Sequence, residues 1–224
     1  LFASIDTENS VTNILAYPDV QISKAIIKDA LILYTGISGD LKTNTYKSLT
    51  EENPYVSPTL FVTQTSEKMN VFLGTSGKIN NDFSFNFKAS YKDEEDKPLF
   101  IRNNSKSNGI NLIANNIPLE SYEFGNSFRV SYDDVITTSF LGEFEYDITR
   151  KIAIGGTIQY DDYKVTNKDE AWNLPALQAA VFGKYKSNKW YATANVFYVD
   201  ERKIVAYNGP FPSNAVSIDR LNSF

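Results

Sequence analysis

"NDFSFNFKASY", residues Asn81 to Tyr91, alternates without a break. In an extended chain Phe83, Phe85, Phe87, Ala89 and Tyr91 fall on one side, while Ser84, Asn86, Lys88 and Ser90 fall on the other. A strand of a soluble sandwich and a strand of a membrane barrel both alternate in this way. They differ in what meets the apolar side, a protein core or lipid.

Composition narrows the choice. The 224 residues are 42% hydrophobic, 22% charged and 14% aromatic, which excludes a disordered tail and suits one large β domain, although length alone leaves two domains open. Fifteen Phe and fourteen Tyr favour strands over helices. A formal net charge of -5 and a pI near 4.9 provide no basic field for a polyanion, so nucleic acid is not an expected partner. With no Cys and no His, disulfides, thiol nucleophiles, Ser-His-Asp triads and the usual zinc sites are excluded. Only carboxylate, hydroxyl or lysine chemistry is left to an enzyme. No run approaches the roughly eighteen apolar residues of a transmembrane helix, but barrel strands spread their hydrophobicity over alternate residues and escape that test. The chain starts at Leu1 without a signal peptide, so processing or truncation is expected.

Three segments share one grammar of strand, tight polar turn and strand. The turns fall at Asn80 and Asn81, at Asp147 to Lys151, and at Ser187 and Asn188, where Asn and Asp tolerate the left-handed backbone of a hairpin. Between the hairpins lie long polar segments, Leu41 to Ser66, Lys92 to Glu120, Asp161 to Asn173 and Asp200 to Ser217. Alternating short and long connections put all tight turns at one end and all long loops at the other. This is the layout of an outer-membrane barrel with periplasmic turns and extracellular loops, and a soluble sandwich has no reason to adopt it.

The faces agree. Phe140, Phe144, Tyr146 and Ile148 share a side with Ile152, Ile154, Ile158 and Tyr160 across the second turn. Opposite them lie Glu143, Glu145, Ala153, Gly155, Thr157, Gln159 and Asp161. In the third hairpin Trp190, Ala192, Ala194, Val196 and Tyr198 face away from Tyr191, Thr193 and Asn195. Aromatic residues near strand ends suit headgroup girdles, though the faces alone also fit a soluble core. Ser121 to Phe140 reads as a strand entered through an extracellular extension and bulged at Asp133 and Asp134. Counting Val11 to Ile26 and Lys28 to Leu41 gives about eight strands, with another starting near Arg220. Counting back by twos from Phe224 yields no lipid face, so that terminal aromatic reads as accidental and the chain as a fragment of a larger barrel.

"NPYVSPTL" (Asn53 to Leu60), "SFRVSYDDV" (Ser127 to Val135), "GEFEYDIT" (Gly142 to Thr149), "DEAWNLP" (Asp169 to Pro175) and "VSIDRLNSF" (Val216 to Phe224) resemble, in that order, segments of the barrel region of TonB-dependent-receptor-like proteins of Bacteroidota. The resemblance implies a Gram-negative outer-membrane protein that moves or binds a nutrient, with TonB or a surface lipoprotein as possible partners. It also implies further strands beyond Phe224 and an N-terminal plug, and no plug is visible in residues 1–224. A porin-like barrel, a structural barrel docking lipoproteins or secretion components, and a soluble β-sandwich binding module stay open beside the transporter.

Candidate sites are few. Lys88, Glu143, Glu145, Gln159 and Asp161 are expected to face the lumen and tune solute preference. Catalysis by the carboxylates is not expected, because Glu143 and Glu145 are placed a membrane thickness from Asp161 and Asp162. Tyr55 and Trp172 sit at loop-strand boundaries; either can stack on a flat ligand such as a sugar, and both fit an anchoring or packing role. The acidic run "KDEEDKP", Lys92 to Pro98, lacks the alternation and glycine of a calcium loop and reads as a solvated extracellular loop. No metal site, catalytic residue or cofactor is expected; "GTSG" at Gly74 to Gly77 and Gly155–Gly156 lie inside strand patterns, where Gly permits a bend or neighbouring bulk. The expected fold is an all-β, antiparallel transmembrane barrel, present in part.

Overall fold

The computed structural model describes residues 2–8, 11–28, 30–58, 60–103, 112–114, 117–119, 127–207 and 216–221. In chain order the elements are β1 (Phe2–Glu8), β2 (Val11–Tyr17), β3 (Asp19–Ile27), β4 (Leu31–Lys42), α1 (Tyr46–Glu52), β5 (Thr65–Ile79) and β6 (Phe83–Arg102). They continue with β7 (Leu112–Ala114), β8 (Ile117–Leu119), β9 (Phe128–Thr149), β10 (Ile152–Val165), β11 (Leu177–Lys186), β12 (Tyr191–Val199), β13 (Arg202–Tyr207) and β14 (Val216–Leu221). Eight of these strands form one antiparallel sheet in the order β3-β4-β5-β6-β9-β10-β11-β12, an open barrel-type wall with β3 and β12 as its edges. The hairpins β1–β2, β7–β8 and β13–β14 pair only within themselves.

Neighbours in this sheet follow one another along the chain apart from the small β7–β8 hairpin, so the connections alternate between its two ends. The tight turns gather at one end, as expected. At the β5–β6 turn Asn80 adopts φ 64°, a left-handed conformation that Asn accepts and β-branched residues resist. At the β9–β10 turn the Thr149 hydroxyl accepts from the backbone N–H groups of Lys151 (3.2 Å) and Ile152 (3.1 Å). The β11–β12 turn closes through Ser187 N–H to the Trp190 carbonyl at 2.8 Å. Residues 43–64, with α1, and 166–176 connect strands at the other end.

Several loops expected from the sequence are strand instead. β6 runs 20 residues to Arg102 and β9 runs 22, about twice the 9–11 that a tilted strand needs to cross a bilayer. Both strands therefore extend at the loop end, and "KDEEDKP" is part of β6, not a solvated loop. The reason is visible in "PLFIR": a continuous apolar run marks a strand covered on both faces. Leu99 and Ile101 pack on one side with Trp172 and Val205; Phe100 packs on the other with Leu49 of α1 and Val56.

β9 passes through Asp133 and Asp134 without a turn, but the bulge lies in its partner. Glu94 pairs with Val135 and Lys97 with Asp133, so Glu95 and Asp96 together oppose Asp134, with Asp96 at φ 53°. At the start, Pro18 divides the expected Val11 to Ile26 strand, and β2 leaves the sheet to pair with β1. Pro cannot donate to a ladder, which makes it a natural point for the chain to change sheets. Phe224 lies outside the described residues.

Candidate functional site

The register assigns every side chain of the sheet to one of two faces. Phe85 pairs with Phe144, Phe144 with Gly156, and Gly156 with Val181. The odd residues of β5 and β6 thus share a face with the even residues of β9 and β10 and the odd residues of β11. That face carries Leu73, Phe87, Phe140, Ile158, Val181 and Val196, all exposed, with Phe87 at 54%. Some of its aromatic rings lie against one another, as with Phe85 and Phe87, whose centroids lie 5.6 Å apart.

The opposite face carries polar and charged groups beside the rings of Phe72, Phe182 and Phe197, and it is cross-linked. Lys88, Glu143, Glu145, Gln159 and Asp161 all lie on it, by the same register. Tyr34 of β4 lies across Gly74 of β5, whose absent Cβ would sit 2.2 Å from the ring, and donates its hydroxyl to Asn86 Oδ1 of β6 at 2.6 Å. Asn86 Nδ2 in turn donates to Glu143 Oε2 of β9 at 2.8 Å. One hydrogen-bonded row therefore spans β4 to β9. Lys184 of β11 reaches across β10 to Glu145 Oε1 at 3.0 Å, its Nζ 4.4 Å from the Phe182 ring centroid. Lys88 Nζ stands 4.6 Å from the Phe72 ring centroid. Gly74 and Gly155 make room for neighbouring bulk, as their place in the strand pattern suggests. Between the two rows, a hollow of about 280 Å³ opens beside Ser84, Asn86, Glu143, Glu145 and Thr157.

Asp161 lies nearer the loop end. It accepts from the Ser139 hydroxyl, from Gln159 Nε2 at 2.9 Å and from the Tyr163 hydroxyl at 3.2 Å. Ser139 is its partner across the ladder and Glu143 lies only four residues further along β9, about 13 Å away. The carboxylates are thus closer than a membrane thickness, yet still too far apart to share a proton or a substrate atom.

Sequence reasoning missed an ionic band where the strands extend. Glu94, 3% exposed, is held by Lys97 at 2.5 Å and Lys42 at 3.0 Å; Lys42 also reaches Glu67 at 2.8 Å. Burial pushes the Glu94 carboxyl up, but Lys97, Lys42 and Lys92 outweigh it and hold the group below its ordinary range. Beside it Asp133, 2% exposed, accepts from the backbone N–H groups of Asn167 (3.0 Å), Lys168 (2.9 Å) and Asp134 (3.0 Å) and from Asn167 Nδ2 (2.8 Å). Burial again raises this carboxyl, and the donated bonds again prevail and lower it. The band was legible only as a charge run, because pairing across strands needs the register.

Trp172 and Tyr55 occupy contrasting environments. Trp172 is 3% exposed, packed against Leu99, Ile101 and Val205, with no ring face open to a ligand. Tyr55 is 67% exposed and lines a cavity with Asn53, Asn173 and Arg202. Among the described residues, no group of three or more Asp or Glu gathers to hold a metal ion.

No family model and no curated protein matches the chain. Among solved structures it is similar to the copper transporter OprC, with a TM-score of 0.52 and 15% identity, over 85% of this chain and 27% of that one. The chain thus spans well under a third of that protein's length, and the likeness is one of fold: an all-β, antiparallel barrel wall.

Proposed function

We propose that this chain forms part of the wall of a Gram-negative outer-membrane β-barrel that binds or passes a solute, and that it catalyses no reaction. The observation that carries the reading is the two-faced sheet. One face is a broad exposed apolar surface from Val20 on β3 to Val196 on β12; the other carries polar and charged groups cross-linked by hydrogen bonds. A soluble protein has to cover such a surface, whereas lipid covers it without a partner. The resemblance to TonB-dependent receptors and the likeness to a transporter's fold support passage of a nutrient over a purely structural barrel. Engagement of TonB belongs to the same reading.

The test is fractionation of the native source followed by substitution on each face. The species carrying this sequence should resist a carbonate wash and require detergent. Phe87→Lys should reduce stable membrane assembly, at a cost of about 2–4 kcal/mol near mid-depth, and Ser90→Lys should not. Release by carbonate, or equal tolerance of both substitutions, would put the phenylalanines in a protein core and end the membrane reading. Uptake that persists when TonB is deleted would remove TonB from the proposal and leave a porin-like route.

A further inference from the structure

The tight-turn end of the sheet carries charge of the opposite sign to the chain as a whole. Net charge is -5 overall, yet Lys78, Arg150, Lys151, Lys186 and Lys189 gather at or beside the β5–β6, β9–β10 and β11–β12 turns, against Asp82 and Asp147. All these cations are exposed, and among the described residues their side chains make no hydrogen bond or ion pair. At the loop end, by contrast, Lys42, Lys97 and Lys203 are each paired with a carboxylate.

The turns are tied side by side through their backbones. Asp147 N–H donates to the Asp82 carbonyl at 2.7 Å, and Lys186 N–H to the Lys151 carbonyl at 2.8 Å. A hollow of about 370 Å³ opens there, and its lining draws on both faces of the sheet. Arg150, Lys151 and Lys186 line it together with Tyr185, which the register places on the apolar face. Glu145 also lines it but is neutralised by Lys184 at 3.0 Å, so of the lining carboxylates Asp147 alone opposes those three cations. On the apolar side Trp190, 58% exposed, lies against Tyr185 with ring centroids 5.0 Å apart. Indole and phenol rings favour the boundary between hydrocarbon and water, so this pair sets the depth at which the cations stand.

We infer that this rim is a binding site for the phosphate headgroup of an anionic phospholipid, whose acyl chains lie along the apolar face beside Trp190 and Tyr185. Arg150 offers a planar fork of donors to the phosphate oxygens, and Lys151 and Lys186 add point charges from two adjoining turns. A soluble anion makes no use of the exposed aromatic pair, and a zwitterionic lipid brings its own cation to a hollow that already holds an excess. The aromatic side therefore selects a lipid, and the cations select its charge. The inference rests on the barrel reading above, which puts these turns at the periplasmic, phospholipid-bearing leaflet.

The test takes the full-length species carrying this sequence from native outer membranes into a neutral detergent. Native mass spectrometry then follows titration with phosphatidylglycerol, phosphatidylcholine or glycerol phosphate. Phosphatidylglycerol should bind about tenfold or more tightly than phosphatidylcholine, since each basic residue at an anionic surface contributes roughly fivefold. Arg150→Gln combined with Lys151→Gln should remove most of that preference, and Trp190→Ala should weaken both lipids. Lys47→Gln combined with Lys168→Gln, two cations of the loop end, should leave it unchanged. Equal retention of the two phospholipids overturns the inference, as does a preference that survives the turn substitutions. Competition by glycerol phosphate as strong as by the intact lipid would make this a soluble-anion site and overturn it too. A carbonate-resistant species without lipid preference ends this inference and keeps the barrel reading, whereas a species released by carbonate ends both.

Discussion

At Gly155 the absence of a side chain is a packing requirement. A Cβ there would lie 2.3 Å from the Phe182 ring and 2.6 Å from the Phe144 carbonyl oxygen, and the carbonyl cannot move without disturbing the ladder. Gly155→Val should therefore cost about 1–3 kcal/mol, measured as a lower urea midpoint for unfolding from lipid vesicles. Gly183, on the other face of β11, has nothing within 4 Å of its Cβ position, so Gly183→Ala should leave the midpoint nearly unchanged. The strand pattern marks both residues simply as glycine in a strand. Only the register tells which one has a neighbour lying across it.

Turns and bulges show the same division among elements. The β5–β6 hairpin was legible because Asn80 is a residue type that takes φ 64° readily. Asn80→Gly should be close to neutral, and Asn80→Val should lose about 1–2 kcal/mol in the same unfolding measurement. The connection between β10 and β11 depends on a contact with no local sign. Asp133 fastens Asn167 and Lys168, and Trp172 then seats against Leu99 and Ile101. Because the folded carboxyl is held below its unfolded value of about 3.9, its contribution is complete above that pH and is lost as pH falls through the folded value. In a Trp190→Phe background, Trp172 emission should stay constant from neutral pH to about 4 and shift to longer wavelength below it. Asp133→Ala should show the shifted emission at neutral pH, since truncation leaves buried donors without an acceptor at about 1–3 kcal/mol. Unshifted emission of Asp133→Ala in the same background at neutral pH would rule out this anchor.

Among the described residues the sheet ends at two edge strands, β3 and β12. In hydrocarbon an unpaired backbone N–H or C=O costs several kcal/mol, so a wall of this kind needs strands beyond both edges or a closed partner sheet. In the native membrane the amides of β12 should accordingly exchange with solvent deuterium as slowly as those of β10, which is paired on both sides. Fast exchange confined to β12 would show an edge open to water and contradict a barrel wall.

Alternation in "NDFSFNFKASY", the Asn and Asp residues at the turns and the uneven spacing of short and long connections were sufficient for an antiparallel barrel-type sheet and for the face that Lys88, Glu143 and Glu145 occupy. These properties follow from a period of two and from local backbone preference, both of which are written along one strand at a time. The extension of β6 and β9, the shift of the bulge onto Glu95 and Asp96, the ion pairs around Glu94 and the contrast between buried Trp172 and exposed Tyr55 were decided by tertiary structure alone. Each depends on which residues of distant segments stand opposite one another, and a single chain does not display that pairing until the register is set.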